Sequence, residues 1–157
     1  MNDEDFLRLA FKTAAVWSDD RTTQNGAVLV PLNGLRIAVA NHFPAGVEPR
    51  LTRPAKYQFV EHAERAAIYA AARTGTATAG ATLYCCWFAC SDCARAIVEA
   101  GIREVVGHAT PWAQTPVRWA SEVATGEQIL REGGVAVRRL AAPLGVKILF
   151  DGEVLEC

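Results

Sequence analysis

The sequence predicts an α/β domain in which a mixed five-stranded sheet lies between helices. Three observations carry this. Two strand-like runs near the start are joined by Asn33-Gly34, a strong hairpin signal. Beyond that hairpin, helical and strand-like stretches alternate down to residue 140. The stretch before the hairpin carries apolar residues at helical spacing, and the alanine-rich stretch 62–73 reads as a helix between strands. With 157 residues, 51 % of them apolar, the chain fits one packed domain and needs no disulfide staples.

Each element has its own signal. Residues 4–17 place Phe6, Leu7, Ala10, Phe11, Ala14 and Trp17 on one helical face, behind an acidic start that suits a helix N-terminus. The polar stretch 18–26 reads as a turn, and residues 27–31 and 35–40 read as the hairpin strands. Residues 41–60, with Pro44, Gly46, Pro49 and Pro54, read as a long loop of the kind that usually carries function. The alanine-rich stretch 62–73 reads as a helix. Residues 82–88 read as a strand buried on both faces. Residues 91–100 read as a helix closed by Gly101, and residues 104–107 as a short strand. A second loop over 108–118, a helix over 119–132 and a strand over 135–140 follow. The tail, 146–157, reads as a small hairpin turning at Asp151-Gly152.

Composition excludes several functions. Lys and Arg number 16 against 17 Asp and Glu, a net charge of −1, which argues against a polynucleotide partner. No apolar run has the length needed to cross a bilayer, which predicts no membrane partner. The start, Met1-Asn2-Asp3-Glu4-Asp5, has the character of neither a secretory signal nor a transit peptide, so a cytoplasmic location is expected. Of five cysteines, four (Cys85, Cys86, Cys90 and Cys93) fall within nine residues, a pattern of metal ligands or redox groups rather than of a disulfide framework.

Two short pieces carry the chemistry. His62-Ala63-Glu64 opens one predicted helix, and Cys90-Ser91-Asp92-Cys93 opens the next. Helix N-termini in an open α/β sheet face a common crevice, so one imidazole and two thiolates can gather around one ion. Zinc takes nitrogen and sulfur ligands in a tetrahedron, and three protein ligands leave one position open. Cys90 and Cys93 lie one helical turn apart, where the helix dipole favours thiolates. Zinc brings the pKa of a bound water down to about 7, and Glu64 is placed to carry its proton. Read alone, the C-x-x-C also fits a redox dithiol, which would leave His62 and Glu64 without a task. A structural zinc with Cys85 or Cys86 as fourth ligand is a further option, although core packing is the simpler reading of both.

His62-Ala63-Glu64 with Cys90-x-x-Cys93 resembles the zinc-dependent cytidine/deoxycytidylate deaminase superfamily. Four further segments resemble its deoxycytidylate (dCMP) deaminases. Ser18-Asp19-Asp20-Arg21-Thr22-Thr23-Gln24-Asn25-Gly26-Ala27-Val28 is similar to S-x-D-P-S-T-Q-V-G-A-V. Residues 41–47 are similar to N-G-F-P-x-G-V, residues 56–64 to K-Y-x-x-V-x-H-A-E, and residues 100–105 to A-G-I-K-E-V. The resemblance covers about residues 4–138. It implies a three-layer αβα cytidine-deaminase-like fold with one deaminase domain over residues 1–157, a Zn2+ cofactor and assembly into a homo-oligomer. The activity implied is hydrolytic deamination of a small molecule, a dCMP-like pyrimidine nucleotide, with release of ammonia. The tail over 140–157 would be a hairpin, a lid or an interface.

By this resemblance His62, Cys90 and Cys93 are the zinc ligands and Glu64 is the proton shuttle. Asn41 matches the asparagine that contacts sugar or substrate, and Ala63 the position whose N–H meets the base carbonyl. Trp87 and Phe88 would line the pocket. His42 sits beside Asn41 and joins the candidate substrate contacts. Trp112 and Trp119 can form an aromatic wall that stacks a base, or pack the last helix or an interface; Trp112 is taken as a substrate contact. Arg50, Arg53 and Lys56, with Arg21 and Arg118, suit either a phosphate or a solvated loop.

Several positions depart from the family pattern. Ala89 stands in place of proline, Arg65-Ala66-Ala67 in place of L-N-A, His42 in place of glycine, Arg21 in place of proline and Cys86-Trp87 in place of T-L. Residues 108–121 lack the D-S-D-E-A run. These changes leave open a nucleoside, a free base or another aminated heterocycle as substrate. They also leave open a non-catalytic member that binds zinc or a ligand.

Overall fold

Asn2 caps the first helix: its side chain accepts from the Asp5 N–H, while the Asp5 carboxylate takes the Asn2 N–H. In this computed structural model, which describes residues 1–87 and 89–157, that helix is α1 (Asp3–Trp17), burying Leu7, Ala10, Phe11 and Ala14. The hairpin follows as β1 (Gly26–Val30) and β2 (Ile37–Ala40). Next come α2 (Ala55–Phe59), α3 (Ala63–Arg73), β3 (Thr82–Cys85), α4 (Ser91–Glu99) and β4 (Glu104–His108). The chain continues through α5 (Ala109–Ala113), α6 (Val117–Glu132) and β5 (Ala136–Leu140), then closes with β6 (Lys147–Phe150) and β7 (Glu153–Glu156).

The five-stranded sheet has the order β2-β1-β3-β4-β5. β1 pairs antiparallel with both β2 and β3, and β3, β4 and β5 run parallel. The sheet is therefore mixed, as the sequence predicts. Successive side chains of the central strands enter opposite cores, as the pleat requires. Ala27, Leu29, Leu83, Cys85 and Val105 meet α3, α4 and α6 on one face. Val28, Tyr84, Cys86 and Val106 meet α1 and the β6–β7 hairpin on the other. Cys85 and Cys86 thus fill two different cores, which accounts for this adjacent pair by packing alone.

The differences from the sequence reading are local. The two expected loops each contain a short helix, α2 and α5. Pro54 starts α2 and Pro111 lies inside the first turns of α5, positions where proline's missing N–H costs nothing. α6 begins at Val117, behind Pro116 rather than at Trp119. Strand β3 ends at Cys85, because the chain bends at Cys86 and Trp87 toward the second cysteine pair. The tail hairpin turns at Asp151-Gly152 as expected, and it packs beneath the sheet beside α1. Among the described residues no helix is long and apolar enough to cross a membrane.

Candidate active site

His62 and Cys90 are the residues immediately before α3 and α4, each with extended backbone angles that let the helix begin at the next residue. Neither helix start receives a side-chain cap. Cys93 lies in the first turn of α4. His62 Nδ1 stands 3.5 Å from the Sγ atoms of both Cys90 and Cys93, and the three donor atoms lie within 4.8 Å of one another.

This donor set fits zinc. One imidazole nitrogen and two sulfurs are the ligand types that the ion prefers, and they already converge. Among the described residues His62, Cys90 and Cys93 are the one group of three that could hold a metal ion. Cys85 and Cys86 are buried in the strand region and take no part in it. Electrostatics agree with the geometry. The Cys93 and His62 groups beside Cys90 hold its thiol down to about 4 against the cost of burial. The same neighbour and burial push Cys93 up. Burial opposes charge on His62, but Cys90 and Glu64 outweigh it and raise its pKa. A pair of thiols that share one proton beside an imidazole would lose that proton to solvent when a metal cation binds.

Glu64, in the first turn of α3, is 1 % exposed, and its burial pushes the carboxyl up to about 6. Asn25 donates its amide to Glu64 Oε2 at 3.4 Å, accepts from the Gly26 N–H at 3.0 Å and the Trp87 N–H at 3.3 Å, and donates its own N–H to Asn41 Oδ1. Ser18 Oγ donates to the same Asn41 oxygen at 2.5 Å, and the Asn41 amide donates to the Thr23 carbonyl. The Glu64 carboxylate is thereby tied through two asparagines to the loop that precedes β1.

A pocket opens onto this group. His62, Glu64 and Cys90 contribute to it, together with Asn25, Asn41, Lys56, Tyr57, Trp87, Arg118, Trp119 and Phe150. The aromatic rings meet edge to face: Trp87 lies 6.0 Å from Trp119 and 5.1 Å from Phe150, and Tyr57 lies 5.2 Å from Trp119. Trp87 Nε1 is held by Thr115 Oγ1 at 3.0 Å.

The expected substrate contacts divide. Asn41 and Trp87 line the pocket, and Ala63 is buried at the start of α3 behind it. Phe88 lies outside the described residues. His42 does not line the pocket: its Nδ1 meets the Ala40 carbonyl, and its backbone pairs with Glu61. Trp112 does not line the pocket either. Helix α5 turns it away from the pocket, where the Arg139 guanidinium covers its ring at 4.1 Å. Trp119 supplies the aromatic wall instead. Of the basic loop residues, Lys56 is buried against Asp20, and Arg50 covers Phe59. Asn25, Tyr57 and Phe150 were not singled out from the sequence. Asn25 was visible as the residue standing where the family motif has valine. Phe150 carried no local signal, because its place depends on how the tail packs.

The family model described as the cytidine and deoxycytidylate deaminase zinc-binding region matches residues 1–109. The chain belongs to this family. Among curated proteins, it is 31 % identical over 127 residues to an uncharacterized deaminase of Aliivibrio fischeri, covering 77 % of this chain and 82 % of that one. It is 28 % identical over 158 residues to the deoxycytidylate deaminase of Mus musculus, covering 94 % and 84 %. The fold matches the dCMP deaminase of cyanophage S-TIM5 in complex with dCMP and dUMP, with a TM-score of 0.70 and 26 % identity over 87 % of this chain and 95 % of that one. The chain is a zinc-binding deaminase of the α/β class, and His62, Cys90 and Cys93 are placed where they would hold the ion. Arg118, Trp119 and Phe150 all lie beyond the matched region, so one wall of the pocket is built by residues that the family model does not describe.

Proposed function

We propose that this deaminase acts on a pyrimidine nucleotide of the dCMP type, replacing its ring amino group with oxygen and releasing ammonia. The convergence of His62, Cys90 and Cys93 beside the buried Glu64, at the floor of an aromatic pocket, carries this reading. The relatives named as deoxycytidylate deaminases favour the nucleotide over an unphosphorylated ring compound.

His62, Cys90 and Cys93 would hold the zinc ion, which when bound supplies a Lewis acid that makes water nucleophilic near neutral pH. Glu64 is the proton carrier. Its carboxylate accepts a proton from the attacking water and hands it to the departing amine, which leaves as ammonia. Burial raises Glu64 toward the pH at which both directions of transfer proceed. Asn25 orients that carboxylate, and Asn41 and the Ala63 N–H fix the sugar and the base carbonyl. Trp87, Trp119 and Phe150 enclose the ring and exclude bulk water, which strengthens each of these contacts.

The whole chain serves as one deaminase unit in this reading, working in the cytoplasm as an assembly of copies. The exposed Val16, Trp17, Leu32 and Val117 give such an assembly apolar surface to bury. The test is ammonia release by zinc-loaded protein offered dCMP, CMP, deoxycytidine, cytidine, cytosine and guanine. Turnover of dCMP far above deoxycytidine is the expected result; turnover confined to an unphosphorylated compound overturns the nucleotide assignment.

A further inference from the structure

The two cationic side chains that line the pocket, Lys56 and Arg118, are both matched by carboxylates of this chain, but the two pairs are built differently. Lys56 and Asp20 are each buried. Lys56 Nζ reaches Asp20 Oδ2 at 2.9 Å and Thr22 Oγ1 at 2.9 Å, so this pair is part of the wall. Arg118 instead meets Asp151 in an open two-pronged fork: Nη1 donates to Oδ2 at 3.2 Å, and Nη2 donates to Oδ1. Arg53 Nη2 donates to the same Oδ1 at 3.4 Å. More than a third of each of these three side chains is open to solvent.

One carboxylate therefore sits between two guanidinium groups that come from different parts of the chain. Arg118 belongs to the first turn of α6, and Arg53 to the segment leading into α2. The Arg53 guanidinium lies 5.8 Å from the ring centre of Tyr57, a pocket residue. The Tyr57 hydroxyl is buried with no hydrogen-bond partner among the described residues, and it stands beside Arg118. Two forked cations and an unused hydroxyl at one edge of the pocket form a receptor for an oxyanion larger than a carboxylate.

We propose that Arg53, Arg118 and Tyr57 form the seat for the substrate's phosphate, and that Asp151 fills this seat until substrate displaces it. The proposal rests on the nucleotide reading and gives it a site. Exposed arginine–carboxylate pairs are weak, whereas a phosphate brings more charge and a third oxygen to the same forks. The exchange requires only that the Asp151 side chain swing outward. Its backbone is anchored independently, because the Asp151 N–H donates to Thr23 Oγ1 at 3.2 Å and the Gly152 N–H donates to the Thr22 carbonyl at 2.8 Å. Asp151 and Gly152 both hold left-handed backbone, with φ of 51° and 87°, as a tight hairpin turn demands. Phe150, one residue earlier, closes the ring pocket against Trp87, so the same turn sets the ring wall and the anion seat. Asp151 thereby acts as a specificity-determining residue: it keeps stray anions out and yields to a ligand that also fills the ring pocket.

The experiment compares zinc-loaded wild type, Asp151→Asn and Arg118→Gln. Asparagine is at ease in left-handed backbone, so Asp151→Asn removes the charge while the turn is kept. Steady-state kinetics with dCMP and deoxycytidine are measured beside inorganic phosphate binding, read by calorimetry. Asp151→Asn is expected to tighten phosphate binding and to lower the KM for dCMP, each by roughly two- to five-fold. Arg118→Gln is expected to lower the ratio of kcat/KM for dCMP over deoxycytidine by about ten-fold. A folded Asp151→Asn protein that binds phosphate no more tightly than wild type overturns the proposal, as does an Arg118→Gln protein with an unchanged ratio. If wild type ignores dCMP while Asp151→Asn still tightens phosphate binding, the nucleotide reading falls and the seat stands. If dCMP is the substrate and both variants behave as wild type, the nucleotide reading stands and the seat falls.

Discussion

The Asn25 amide, one residue before β1, meets the Glu64 carboxylate in the first turn of α3 at 3.4 Å. Both residues are buried, so the contact is made without competing water. It points one carboxylate oxygen at Asn25 and leaves the other for the reacting proton. Asn25→Val, which restores the residue of the family motif, is expected to lower kcat by about ten-fold, since a hydrogen bond to a charged group is worth about 1.5–3 kcal/mol and this one is long. KM should change little, because Asn25 positions Glu64 and does not hold substrate. A rise in KM at constant kcat would assign Asn25 to substrate binding instead.

Glu64 carries the sharpest expectation. Glu64→Gln preserves volume and removes the ability to cycle a proton, so turnover should fall by about 10²- to 10⁴-fold. Zinc content, measured by metal analysis, should stay that of wild type, because Glu64 is not among the three converging donors. Retention of full turnover would remove Glu64 from the mechanism.

Much of this site was legible in the sequence because its parts are local. A histidine before one helix and cysteines one turn apart at the next are fixed by short-range spacing, and the strand–helix alternation fixes which ends they occupy. The walls were less legible. Trp112 and Trp119 are both aromatic residues near prolines, and only the formation of α5 decides that Trp112 meets Arg139 while Trp119 meets His62 at 6.4 Å. From the sequence Lys56 suited either a phosphate or a solvated loop. It is buried because α2 forms within that loop and carries it onto Asp20, 36 residues away. Asp151 meets Arg53 across 98 residues, a relationship that no local pattern encodes.

The metal group gives a second test. Cys93→Ser replaces a soft thiolate by a weak hydroxyl ligand and should cost the bound zinc, with loss of turnover in proportion to metal content. Chelation of wild type should reproduce the loss, and added zinc should restore wild type but not the variant. Zinc retained at one ion per chain by Cys93→Ser would show that Cys93 is not a ligand.

The buried Lys56–Asp20 pair links stability to pH. Burial opposes the Asp20 charge, but the Thr22 and Thr23 N–H groups and the Lys56 ammonium outweigh it and hold the carboxyl below its ordinary value. Because the folded pKa lies below the unfolded one, the pair's contribution is complete above about pH 4 and is lost as pH falls through the folded value. Lys56→Met leaves Asp20 buried without its cation and should cost about 3–5 kcal/mol at neutral pH. Without the ammonium the Asp20 carboxyl is no longer held as far below its ordinary value, so the part of the acid limb that this pair supplies should shrink in the variant. Urea midpoints from pH 3 to pH 7 measure both effects, and superimposable acid limbs would exclude this pair as their source.

The last prediction concerns the support behind Cys90. Helix α6 crosses the loop before α4 at Gly126, where an added Cβ would overlap the Ala89 carbonyl oxygen and crowd the Cys90 backbone. The helical backbone of Gly126 does not need glycine; the close approach does. Ala89 stands where the family carries proline, so the rigidity that proline would give this loop is replaced by the helix lying directly on it. Gly126→Ala improves helix propensity by about 1 kcal/mol and would stabilise an isolated α6. In the folded protein it should instead destabilise by about 1–3 kcal/mol, because backbone must shift to admit the methyl group. The same shift moves Cys90 away from His62, so zinc affinity should fall together with the thermal midpoint. A variant with wild-type zinc affinity and a raised midpoint would mean that the helix does not set the position of Cys90.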